Sequence, residues 1–131
     1  LDPLAGYLLL AEKLCATDGA RYADAWNFGP ADTDAKPVRW IAERVTKTWG
    51  DGARWVLADD ASQPHEAHYL KLDCAQANTR LGWRARWSIA QALDATVAWY
   101  KSYEAKQNVR AMTIEQINAY QAAQTNMGAD A

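Results

Sequence analysis

Between Gln63 and Trp83 the chain changes physical character several times in quick succession, and the order of those changes limits the fold more than any other stretch. Pro64, His65, Glu66, His68 and Tyr69 put donors, acceptors and an aromatic ring into a segment too polar for a core. From Tyr69 to Leu72 the residue types suit a short strand, with Leu70 and Leu72 on one face and Tyr69 and Lys71 on the other. Asp73 stands where an N-cap belongs, and Gln76, three residues on, is placed to complete a capping box. Gly82 can take the left-handed conformation that stops the short helix, and Trp83 lies just past it. The predicted order is loop, strand, capped helix, glycine stop, tryptophan.

Toward the N-terminus, Asp2 and Pro3 read as an N-cap and first-turn pair. Leu4, Tyr7, Leu8, Ala11, Leu14 and Cys15 recur at helical spacing, and Leu9 and Leu10 widen the apolar face. A helix that apolar needs cover on more than one side. Gly19 ends the segment. Trp26 to Gly29 reads as a short buried strand closed by Pro30, and the run from Ala31 to Ala35 as a polar loop. Pro37 opens a second helix whose apolar positions are Val38, Ile41, Ala42, Val45 and Trp49, with Gly50 as its stop. Arg54 to Ala58 alternates weakly, as a strand would.

Beyond Trp83, Ser88 and Gln91 form a capping box for the longest helix, which buries Ile89, Leu93, Val97 and either Tyr100 or Trp99. Thr113 and Gln116 repeat the device, with Met112 and Ile117 placed to staple the entry. After Gln121 the residues are small and polar, and the end is expected to fray. The expected fold class is α/β, helix-rich with few short strands. Residues 1–110 form one incomplete lobe and 111–131 a C-terminal helix and tail.

With 131 residues there is room for one domain or part of one. A net charge of −2 argues against a nucleic-acid binder held by phosphate electrostatics. No stretch has the ~20 apolar residues of a membrane span. Cys15 and Cys74 lie far apart without a CxxC pattern, which fits a reduced, cytoplasmic pair. The seven tryptophans offer large, low-entropy surface for a core or an interface. The chain opens on Leu1 and enters an apolar helix at once, so it reads as a piece of a longer protein.

Leu81-Gly82-Trp83 after a capped helix, Pro64 to Asp73, Trp26-Asn27-Phe28-Gly29-Pro30 and Leu4 to Ala11 together resemble the extended short-chain dehydrogenase/reductase family. The likeness runs over roughly the first 105 residues and is closest to that family's nucleotide-sugar dehydratases. Ala85 stands where the family often has proline. The resemblance implies the C-terminal substrate-binding lobe of such an enzyme, lacking most of the Rossmann sheet. It implies CDP-glucose or a related nucleotide sugar as ligand, NAD as cofactor of the full-length enzyme, and the N-terminal Rossmann lobe as partner.

The resemblance assigns substrate binding to His65, Glu66 and Tyr69, with His68, Asn27 and Lys36 beside them. On residue types alone, imidazoles and a phenol can hold a phosphate or ribose, or can simply face water in a polar loop. The amide of Asn27 either satisfies neighbouring backbone or reaches a ligand. Lys36 and Arg39 flank a helix N-terminus where an anion is favoured, though the residue alone fits a solvated lysine better. His65-Glu66-Ala67-His68 has the wrong spacing for a helical zinc motif. Arg80, Arg84 and Arg86 suit the end of a helix. No glycine-rich dinucleotide fingerprint and no Tyr-x-x-x-Lys pair occurs, so the chain alone is expected to bind no NAD and catalyse nothing. Two further readings fit the residues: a non-catalytic α-rich interaction module, and a fragment of a related epimerase.

Overall fold

The computed structural model describes residues 1–57 and 71–127 of the chain. Four helices dominate: α1 (Asp2–Leu14), α2 (Val38–Trp49), α3 (Ile89–Glu104) and α4 (Val109–Met127). Short 3-10 turns occupy Gly19–Tyr22 and Asp32–Asp34, and a π-helical turn spans Ala77–Leu81. α2 packs on α3, α3 on α4, and α1 on the first 3-10 turn. Among the described residues no helix is long and apolar enough to cross a membrane.

The helix-rich part of the expectation holds, but the described residues contain no strand. Trp26 to Gly29 and Arg54 to Leu57 are irregular, as are Lys71 and Leu72; Ala58, Tyr69 and Leu70 lie outside the described residues. A strand exists only where a neighbour completes its ladder. The segment at Asn27–Gly29 runs beside Asp73 and Cys74, yet side chains make the links: Asn27 Nδ2 donates to Asp73 O at 3.2 Å and Gly29 N to Cys74 Sγ at 3.1 Å. Val56 and Leu57 are 88% and 81% exposed, so the weak alternation there meets no sheet among the described residues.

α1 differs most from expectation. Gly6 is buried and Leu9 and Leu10 pack on the core, whereas Leu4, Tyr7, Leu8, Ala11, Leu14 and Cys15 are exposed. Asp2 is not the N-cap, which is Leu1; its Oδ1 instead accepts from Arg86 N at 2.6 Å and Tyr120 Oη at 2.8 Å. Two donors from distant parts of the chain outbid the local backbone. Burial, then the hydrogen bond to Asp2, pushes the Tyr120 phenol above its ordinary range.

The core gathers Tyr22, Phe28, Ala77, Leu81 and Trp83. The Phe28 ring meets Trp83 edge-on at 5.0 Å and Tyr7 edge-on at 5.5 Å. Gly82 takes φ 69° and ends the π-helical turn as expected, and Gly50 (φ 71°) follows α2. Val38, by contrast, is exposed at the start of α2.

The capping box of α3 forms: Ser88 Oγ accepts from Gln91 N, and Gln91 Oε1 from Ser88 N. Val97 is buried, while Tyr100 is exposed and Trp99 half-buried. α4 starts earlier than predicted, with Asn108 Oδ1 accepting from Ala111 N at 3.1 Å. Thr113 and Gln116 serve the helix contact instead. Trp99 Nε1 donates to Thr113 Oγ1 at 2.9 Å, and Gln116 Nε2 to Ala95 O at 2.7 Å. The helix runs on past Gln121 to Met127.

α2 and α3 are joined by a two-pronged ion pair between Arg44 and Asp94, with Thr48 Oγ1 on the same carboxylate at 3.1 Å. The Arg44 guanidinium holds the Asp94 carboxyl below its ordinary value of 3.8. A depressed folded pKa contributes stability that is fully present above the unfolded pKa and lost as pH falls through the folded one. Asp94→Asn is therefore expected to flatten the loss of stability below about pH 4. Asp24, also depressed, keeps part of the slope. Urea midpoints along an acid series check this, and identical slopes would refute it.

Candidate functional site

Residues just after the polar loop in sequence line a cleft with a segment from before α2. Pro30, Ala31 and Asp32 form one side, and Lys71 to Ala75 with Asn78 the other, around about 500 Å³. The polypeptide leads into this cleft directly from the segment holding His65, Glu66, His68 and Tyr69, four candidate residues that lie outside the described residues.

Local chemistry explains the shape. Asp73 Oδ1 accepts from Ala75 N at 2.8 Å, which starts the helical turn as the sequence predicts. Gln76 does not complete the capping box. Its amide donates to Asp24 Oδ2 at 3.0 Å, a carboxylate that also pairs with Arg80 at 3.1 Å. The Ala25 N–H, then Arg80 and Gln76, hold the Asp24 carboxyl below its ordinary range. Arg80 also donates to Arg21 O and lies over the Trp26 ring at 5.0 Å, so it fastens the first 3-10 turn to the π-helical turn.

Lys71 Nζ reaches across to Asp32 Oδ1 at 3.0 Å, joining the two sides of the cleft. Cys74 is half-buried at the junction, where it accepts from Gly29 N. A Cβ on Gly29 would stand 3.2 Å from Leu72 Cβ and 3.4 Å from Cys74 Sγ, so glycine lets the two segments close up. Asn27 is exposed and tied to Asp73 O on the cleft wall, the backbone-satisfying alternative. Lys36 lies just before α2, outside the cleft lining, with Nζ 6.0 Å from the Trp40 ring centroid.

Lys71, Asp32 and Asn78 were not singled out as site residues by sequence reasoning, and Cys74 was read as a reduced thiol. Lys71 carried a signal, as a cation directly after the polar loop. Chemically the cleft offers the Lys71 ammonium paired with Asp32, a second carboxylate at Asp73, the Asn78 amide and the Cys74 thiol, a set that suits a polar ligand with hydroxyl groups. Among the described residues no three His, Cys, Asp or Glu side chains cluster as a metal site. A larger cavity of about 710 Å³ lies between α1 and the Gly82–Arg86 segment. Leu1, Leu4, Leu8 and Leu9 line its α1 side and Glu12, Arg84 and Gln121 its rim; the smaller cleft, whose lining begins just after the polar loop in sequence, is taken as the candidate site.

No family model matches the chain. It is 43% identical over 125 residues to a CDP-glucose 4,6-dehydratase of Salmonella typhimurium strain LT2. The match covers 95% of this chain and 34% of that protein's length.

Proposed function

We propose that the chain is the C-terminal, substrate-side portion of an NAD-dependent CDP-glucose 4,6-dehydratase. The 43% identity across 95% of the chain carries this reading. Such an enzyme oxidises the hexose at C4, eliminates water across C5 and C6 and returns the hydride to C6. The product is CDP-4-keto-6-deoxyglucose. NAD supplies the hydride acceptor and belongs to the upstream part, since this sequence has no glycine-rich fingerprint for it.

In this reading His65, Glu66, His68 and Tyr69 grip the nucleotide diphosphate. Asn27 and Lys36 assist them in this reading, and Lys71, paired with Asp32, lines the cleft that follows the loop in sequence. Incubating the full-length protein with CDP-glucose and identifying the product tests the reaction. A 4-keto-6-deoxy sugar supports it, an epimerised hexose moves the protein to the epimerases, and no binding or turnover ends the proposal. His65→Ala and Tyr69→Ala in that protein are each expected to weaken CDP-glucose binding about tenfold, or 1.4 kcal/mol. Calorimetric titration measures this, and unchanged affinity in both would place the site elsewhere.

A further inference from the structure

We propose that Asn78 is a specificity-determining residue of the smaller cleft, where its side-chain amide takes two neighbouring hydroxyls of a sugar ring. The inference rests on reading the chain as the substrate-side portion of a nucleotide-sugar dehydratase, and it names the part of the substrate that the cleft reads.

Asn78 lines the cleft and is half-buried. The other polar side chains of that lining are committed. Lys71 pairs with Asp32, Asp73 accepts from Ala75 N, and Cys74 accepts from Gly29 N. The Asn78 amide has no hydrogen-bond partner among the described residues.

Its backbone is nonetheless fixed. Asn78 N donates to Cys74 O at 2.9 Å and Trp83 N to Ala77 O at 3.1 Å, which secures the π-helical turn at both ends. Ala77 is fully buried and Leu81 nearly so, so the turn is rooted in the core. Turns of this kind are rare and frequently mark functional sites. Propensity points the same way. Asparagine is a poorer helix former than alanine, and without a bond of its own it gives this turn nothing in return. A residue that breaks a local rule without structural gain is where function is to be sought.

The chemistry of the amide selects the ligand. It sets N–H donors beside a carbonyl acceptor, and a vicinal pair of hydroxyls can satisfy both, since each hydroxyl donates and accepts. A diphosphate only accepts, and the lining sets two carboxylates, Asp32 and Asp73, against the Lys71 ammonium. Pro30, Ala31 and Leu72 add apolar surface for the C–H face of a ring. CDP-glucose carries two such diols, one on the ribose and one at C2 and C3 of the hexose. The reaction at C4 to C6 alters neither, so the contact holds substrate and transition state equally.

The test uses the full-length protein. Asn78→Ala should raise both Kd and KM for CDP-glucose about tenfold and leave kcat unchanged. Its thermal midpoint should hold or rise, because the turn loses no bond. A purely structural asparagine would lower the midpoint, and that result, failure to fold included, overturns the proposal. Unchanged affinity overturns it too.

Two analogues, lacking the ribose 2′-hydroxyl or the hexose 2-hydroxyl, tell the diols apart. One should bind the unaltered protein about tenfold more weakly, with no further loss in Asn78→Ala, and it names the ring. Additive losses with both overturn the contact. CDP-glucose binding that is indifferent to Asn78 defeats this inference alone. If CDP-glucose does not bind, dTDP-, UDP- and GDP-glucose are titrated into the same two proteins. Binding that depends on Asn78 then defeats the proposed function alone, and binding of none defeats both.

Discussion

Phe28→Ala is expected to cost the chain about 3–5 kcal/mol, a large part of the stability of any domain this size. Phe28 is buried between Trp83 and Tyr7, and α1 presses Gly6 against the same ring. A Cβ on Gly6 would lie 2.4 Å from Phe28 Cδ1, closer than any real contact. Gly6→Ala alone should destabilise, because overpacking costs about 1–3 kcal/mol and outweighs the ~1 kcal/mol that alanine gains over glycine in a helix. In the Phe28→Ala background the clash is gone, so the same substitution should stabilise. A double-mutant cycle by urea denaturation measures the coupling. Strict additivity would show that the ring and the helix do not press on each other.

That contact joins two stretches that sequence analysis separated, and it marks where the sequence was legible. Signals that act within a few residues came through. The capping box at Ser88 and Gln91, the stops at Gly50 and Gly82 and the cap by Asp73 are all satisfied by neighbours in the chain. Signals that depend on a distant partner did not. Asp2 has the composition of a cap but serves Arg86 and Tyr120, and Gln76 answers Asp24 rather than Asp73. The strand at Trp26 to Gly29 needs a ladder that the described residues do not provide, and side-chain bonds take its place.

The apolar stripe of α1 shows the same division. Periodicity identified an amphipathic helix, and the helix is there. It could not say which of two apolar faces the chain itself covers. Gly6, Leu9 and Leu10 turn inward, since a glycine admits the Phe28 ring where a leucine would not, and the more regular stripe is left outside. Of the candidate site, Asn27 and Lys36 can be placed, and the cleft whose lining begins just after the polar loop in sequence adds Lys71 and Asp32. Those two residues pair across the chain, a relation no local pattern encodes.

Asp2→Ala is expected to cost about 2–4 kcal/mol, because it strands two donors rather than one. The Arg86 N–H and the Tyr120 hydroxyl both converge on Asp2 Oδ1, and Tyr120 is 4% exposed, so water cannot readily replace the carboxylate. Asp2→Asn keeps an oxygen in place and should recover more than half of the loss. Combining Asp2→Ala with Tyr120→Phe should cost less than the sum of the two, since a phenylalanine leaves no hydroxyl unpaired. The phenol supplies an independent readout. Its raised folded pKa means that stability is fully present below the ordinary tyrosine value of 10.0 and lost as pH rises through the folded value. Asp2→Ala should bring the alkaline absorbance transition of Tyr120 down toward that value without reaching it, because burial is the larger cause. If the transition does not move, the carboxylate does not act on the phenol, and the link between the start of α1 and α4 is packing alone.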